Sequence, residues 1–178
     1  MMQRRVGAAV IELVCGNIVE QTTDAIVNAA NTTLLGGGGV DGAIHRAGGP
    51  AVLEECRRLG GCATGDAKIT SGGRLAARWV IHTVGPVYRD GRQGEAALLA
   101  SAYRRSLEVA VAHGLGSVAF PSISTGAYRY PIAEASAVAV GTVCASLAGP
   151  ASSLVLVRFV LFSGEDLAVY GDQLAGLR

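Results

Sequence analysis

An α/β fold, a sheet covered by helices on both faces, is what this 178-residue sequence predicts, and three observations point there. Short β-branched runs alternate with stretches of helical periodicity along most of the chain. The strand-like runs are close to wholly apolar, as in Leu154 to Phe162 where Arg158 is the exception, and that is the pattern of strands buried on both faces. Half of the residues are hydrophobic, enough for one sizeable core and short for two, so a single domain over 1–178 is expected.

Val6 to Val14, apolar with a polar break at Glu12, reads as a first strand, and Asp24 to Asn28 as a second. The glycine run Gly36 to Gly39 is incompatible with regular structure, whereas Val40, Ala43, Ile44 and Ala47 recur at helical spacing, so a glycine loop feeds a helix. Pro50 opens a further helix through Arg58, with Val52, Leu53, Cys56 and Leu59 on its apolar face and Gly60-Gly61 as its stop. Ala67 to Ser71 and Trp79 to Val84 are strand-like and bracket a turn or hairpin. Glu95 to His113 has a long helical pattern, and Ser117 to Phe120 is a short buried strand. Pro131 to Leu147 is an alanine-rich helix, Leu154 to Phe162 a strand, and Glu165 to Leu177 a closing helix.

Composition excludes several function classes. A formal charge of +1, from 15 basic and 14 acidic residues, leaves no electrostatic footprint for duplex nucleic acid or an anionic membrane, so any phosphate must be recognised locally. Arg4 and Arg5 precede an apolar run in the manner of a signal peptide, but Glu12 interrupts that run and a first strand explains it better. No stretch approaches the ~20 apolar residues that span a bilayer, and a cytoplasmic setting is expected. The cysteines Cys15, Cys56, Cys62 and Cys144 form no Cys-x-x-Cys pair and read as free thiols; a zinc trio of Cys56, Cys62 and His45 fits no common spacing, and no metal is expected.

Two loops carry the chemistry, because each follows a strand and precedes a helix, where ligands bind in open α/β sheets. In the first, Asn28 to Gly42, the glycines remove every Cβ, so that backbone amides and a helix N-terminus can approach an anion closely. The bland alternative is a flexible turn, and the neighbouring Asn31 and Asp41 weigh against it. In the second, Pro121 to Pro131, hydroxyl residues and a glycine can bond a diphosphate while tyrosines offer a face to a sugar. Gly-Lys-[Ser/Thr] is missing from both loops, and no G-x-G-x-x-G follows the first strand, which argues against a Walker-type triphosphatase and a nicotinamide dinucleotide site.

The runs DAIVNAANTTLLGGGGVDGAIHRAGGP, CATGDAKIT, VIHTVGP and FPSISTGAYRYP resemble the macrodomain family, and within it the MacroD-type hydrolases. That resemblance, over roughly Val10 to Tyr170, implies a three-layer α/β/α fold with a central mixed, mostly parallel six-stranded sheet and a cleft for ADP-ribose over the strand ends. It implies further that Asn31 contacts the distal ribose and that Asp41 is needed for hydrolysis. Gly37, Gly38, Gly39 and Val40 match the first diphosphate loop; Ser124, Thr125, Gly126, Ala127 and Tyr128 match the second, with Tyr128 packing on the distal ribose. Asn28 joins the first loop as a ligand-binding residue, and Phe162 stands at the aromatic that stacks on adenine. Two departures are visible. Asn17, expected with Ile18 among the ligand-binding residues, stands where the family has the acid that bonds the adenine amine, and its side-chain oxygen can still accept from that amine; Arg129 stands where glycine is common.

Each of these residues has a plainer role too. Asp41 suits a helix N-terminus, Asn31 suits a loop cap, His45 suits a packed helix face, His82 in VIHTV alternates like a core strand residue, and His113 suits a helix end. What the resemblance implies is a metal-independent, cofactor-free hydrolase for esters on the distal ribose: O-acetyl-ADP-ribose, mono-ADP-ribosylated acidic side chains, and ADP-ribose on nucleic-acid phosphate ends. A non-catalytic reader of ADP-ribose is the alternative, and a monomer the expected state.

Overall fold

The computed structural model describes residues 1–149 and 152–178. Seven strands form one sheet in the order β1-β2-β7-β6-β3-β5-β4: β1 Met2–Val6, β2 Ala9–Cys15, β3 Ala25–Ala29, β4 Ala67–Ser71, β5 Trp79–Thr83, β6 Ser117–Phe120 and β7 Leu156–Leu161. The inner pairings β2·β7, β7·β6, β6·β3 and β3·β5 are parallel, and the edge strands β1 and β4 run antiparallel to their neighbours. Among the described residues five α-helices, besides a 3-10 turn at Ile18–Glu20, complete the fold: α1 Gly39–Gly48, α2 Pro50–Leu59, α3 Glu95–Ala112, α4 Ile132–Leu147 and α5 Gly164–Gly176.

The sheet has seven strands where six were expected, because Val6 to Val14 is not one strand. Val6 pairs with Ala9 across Gly7-Ala8, and Gly7, at φ +60, takes the left-handed backbone that a two-residue hairpin needs. The added strand is an edge, and its Arg4 and Arg5 discourage pairing with another chain.

Both faces of the parallel strands are buried, as their apolar runs predict. Ala25 and Val27 of β3, Val118 and Phe120 of β6, and Val157, Phe159 and Leu161 of β7 face a core shared with Leu99 and Tyr103 of α3, Val140 and Val143 of α4, and Tyr170 and Leu174 of α5. Alternate residues Ile26, Val80, Ala119 and Val160 pack on the other face with Ile44 of α1 and Ile18. The chain leaves β3 toward β5 on one side and leaves β6 toward β7 on the other, although β3 and β6 are neighbours. A crevice therefore opens between the carboxyl ends of β3 and β6, where strand order reverses.

Candidate functional site

That crevice is a cleft of about 410 Å³, in the range that holds a small-molecule ligand. Its walls are the loop after β3 (Asn31, Gly37, Gly38, Gly39), the first turn of α1 (Val40, Asp41), the loop after β6 (Ser124, Thr125, Gly126, Ala127, Tyr128) and Phe162 at the end of β7. Of the residues singled out in the sequence, these twelve come together.

The others lie elsewhere. Asn28 is fully buried beneath the floor. Ile18 is core, and the exposed Asn17 uses its Oδ1 to accept the Val19 amide at 3.2 Å. Gly16 N–H donates to Leu161 O at 3.0 Å, which continues the β2·β7 register and brings this turn beside the strand end that carries Phe162.

At the glycine loop, α1 starts with Gly38 as a cap that makes no side-chain bond, so the first amides of the helix stay available to an anion. Gly39 has φ +56, a conformation a side chain would strain. A Cβ on Gly37 would meet Asp41 Oδ2 at 3.1 Å and Asn31 Nδ2 at 3.6 Å, so the carboxylate and the amide converge on one point in the cleft. Asn31 is also tied into its own loop: its Oδ1 accepts the Thr33 amide and hydroxyl at 3.1 and 2.6 Å, and its Nδ2 donates to Gly36 O at 3.0 Å. The plain role and the cleft-facing one coexist.

Asp41 is 5% exposed and held from behind, with Asn28 Nδ2–H donating to its Oδ1 at 2.8 Å. His45 Nε2 stands 3.3 Å from the same oxygen without hydrogen-bond geometry. Asn28 Nδ2 also lies 3.1 Å from His82 Nδ1, and His82 Nε2 lies 2.9 Å from Thr70 Oγ1.

The second loop is strained where it matters. Ser124 has φ +67 and Arg129 φ +61, both in the region that favours glycine. Ser124 Oγ is buried with no partner among the described residues, an orphan hydroxyl in the cleft wall. A Cβ on Gly85 would overlap that hydroxyl and come within 2.5 Å of Ile123 Cγ2, so glycine is required under the loop. Tyr88 N–H donates to Tyr128 O at 2.8 Å and ties the mouth to the segment before α3.

Asp166, in the first turn of α5, lines the cleft as well, as do Gly85 and Ser122. Sequence reasoning included Ser122 only as one of the hydroxyls of the second loop and passed over Gly85 and Asp166. For Asp166 the only available signal, an acid at a helix start, is one that the helix dipole alone explains.

Among the described residues, His45, Cys56 and His82 bring metal-capable atoms within 4.8 Å of one another. Cys62, weighed with Cys56 and His45 from the sequence, instead points its Sγ at Ala63 O. The trio is poorly disposed to hold an ion, because both ring nitrogens of His82 already face hydrogen-bond partners. Burial, with Asp41 and Glu55 nearby, pushes the Cys56 thiol up to about 11, far from the thiolate that metals take.

Comparison with known proteins agrees with this geometry. The Macro domain family model matches residues 27–139. A macro domain-containing protein of Chlorobaculum tepidum is 58% identical over 165 residues, covering 93% of this chain and 95% of its own length. A solved structure of a mutant Oceanobacillus iheyensis macrodomain with ADPR superimposes with a TM-score of 0.93 at 43% identity, over 98% of this chain and 96% of that one. A Trypanosoma brucei macrodomain in complex with ADP-ribose gives a TM-score of 0.85 at 42% identity, over 91% of this chain and 68% of that one.

Proposed function

Because this chain belongs to the Macro domain family, we propose that it is a MacroD-type hydrolase that binds ADP-ribose and cleaves ester-linked groups from the distal ribose. Support for the ligand comes from relatives of the same fold that are described with ADPR and ADP-ribose. The diphosphate lies between the α1 amides and the Ser124–Tyr128 loop, where Ser124 Oγ gains the partner it lacks. Tyr128 flanks the distal ribose and Phe162, also in the cleft wall, covers the adenine.

One observation carries the catalytic reading: Asp41 Oδ2 and Asn31 Nδ2 converge on the point over Gly37. A purely binding module has no need of a shielded carboxylate there. Asn31 fixes the ribose hydroxyls, and Asp41 holds and activates the water that attacks the ester carbon or assists departure at the anomeric carbon. The substrates are O-acetyl-ADP-ribose, proteins mono-ADP-ribosylated on Asp or Glu, and ADP-ribosylated nucleic-acid phosphate ends. The enzyme acts as a cytoplasmic monomer; among the described residues no helix is long and apolar enough to cross a membrane.

The test is turnover of a glutamate-linked mono-ADP-ribosylated protein and of O-acetyl-ADP-ribose by wild type and Asp41→Ala, with calorimetric binding of ADP-ribose to both. Turnover lost on substitution with binding retained is the expected result. Binding without wild-type turnover of either substrate would make the chain a reader.

A further inference from the structure

The carboxylate of Asp41 ends a chain of hydrogen bonds that diverges from the Asn28 amide and runs through the sheet. Asn28 Nδ2 donates to Asp41 Oδ1 at 2.8 Å, which orients the Asn28 side chain with its amide nitrogen toward the carboxylate. The second hydrogen on that nitrogen meets His82 Nδ1 at 3.1 Å, which makes Nδ1 an acceptor and puts the ring proton on Nε2. Nε2–H donates to Thr70 Oγ1 at 2.9 Å, and the Thr70 hydroxyl donates to Ser71 O at 3.0 Å. Asn28 and His82 are fully buried, and Thr70 and Asp41 are 2% and 5% exposed. The register Asn28↔His82 and Lys68↔His82 sets the three strands β3, β5 and β4 side by side under the cleft.

We infer that His82 is a positioning residue for the reaction, acting through Asn28: by accepting the second amide hydrogen it fixes the donor that aims Asp41 into the cleft. This rests on the hydrolase reading of Asp41. Two features outside the relay agree. Burial holds His82 neutral, its pKa lowered to about 3, so Nδ1 remains an acceptor through the ordinary pH range. Cys56 Sγ, 3.6 and 4.0 Å from the two ring nitrogens, packs on the imidazole and limits its movement.

Because an asparagine places its amide oxygen near the position of Nδ1 while a glutamine reaches the position of Nε2, two polar substitutions separate the roles. His82→Asn keeps the acceptor for Asn28, and His82→Gln loses it. The expected result is kcat on O-acetyl-ADP-ribose reduced about tenfold or more by His82→Gln and by Thr70→Val, less by His82→Asn, with calorimetric Kd for ADP-ribose within about twofold of wild type. Long-range proton–nitrogen NMR of the wild type, a readout independent of activity and of every variant's folding, should show His82 protonated on Nε2 alone. Protonation on Nδ1, or equal kcat in the Asn and Gln variants when both melt cooperatively, overturns the inference. Wild-type inactivity on every ester would instead defeat the hydrolase reading, leaving the tautomer measurement to decide whether the relay exists.

Discussion

At single positions the cleft is built by what is missing. Ser124 carries a buried hydroxyl without a partner among the described residues, which costs about 1–3 kcal/mol of desolvation in the free protein. Ser124→Ala should therefore leave thermal stability unchanged or slightly raised while ADP-ribose affinity falls about tenfold, a pair of effects that melting and calorimetry separate. Gly85→Ala should do the opposite damage: its methyl collides with Ser124 and Ile123, so stability drops by about 1–3 kcal/mol and the loop is displaced. The glycines of the first loop and the hydroxyls of the second, which line the cleft, were legible in the sequence because a search for phosphate-binding loops looks for such residue types within one segment. Gly85 and Asp166 were not, since their role appears only when distant segments are folded together. Asn28 shows the same limit from the other side: its motif drew attention to it, but its partner His82 is 54 residues away and reads as an ordinary strand residue.

The elements followed their patterns wherever one segment's periodicity decided its fate. Helix α2 begins at Pro50 and ends against Gly60 in the left-handed conformation, as the sequence indicated. The exception, the β1·β2 hairpin, was hidden because a lone glycine in an apolar run reads as a tolerated strand residue, and only the φ of +60 at Gly7 shows it to be a turn. What finishes α2 was equally invisible: Lys68, the one lysine of the chain, crosses from β4 and donates Nζ to Leu59 O at 3.1 Å and to Gly61 O at 2.6 Å. A cation on those carbonyls both caps the helix and meets its negative end. Lys68→Met should lower stability by about 1–2 kcal/mol, seen as a lower urea midpoint at unchanged slope, without altering ADP-ribose affinity.

For the whole molecule, two buried groups set how stability depends on acidity, and their windows differ. His82 has a folded pKa of about 3 against an ordinary 6.5, because burial and then the neighbouring His45 disfavour its charged form. Below pH 6.5 the unfolded chain takes up a proton that the folded chain refuses, so stability falls steadily from pH 6.5 toward 3. Glu95 behaves as a depressed carboxylate: the amides of Arg89, Gly91 and Gln93 donate to it and hold it at about 2 against 4.5, so its contribution is complete above pH 4.5 and is lost between 4.5 and 2. Since those amides order the segment that Tyr88 ties to Tyr128, the cleft mouth should loosen in the same acid window. Thermal midpoints measured from pH 8 to pH 3 should therefore begin to fall near 6.5 and steepen below 4.5. His82→Asn should flatten the upper part of that curve, Glu95→Gln only the lower part, and a wild-type midpoint constant from pH 6.5 to 4.5 would show that His82 is not held neutral by the fold.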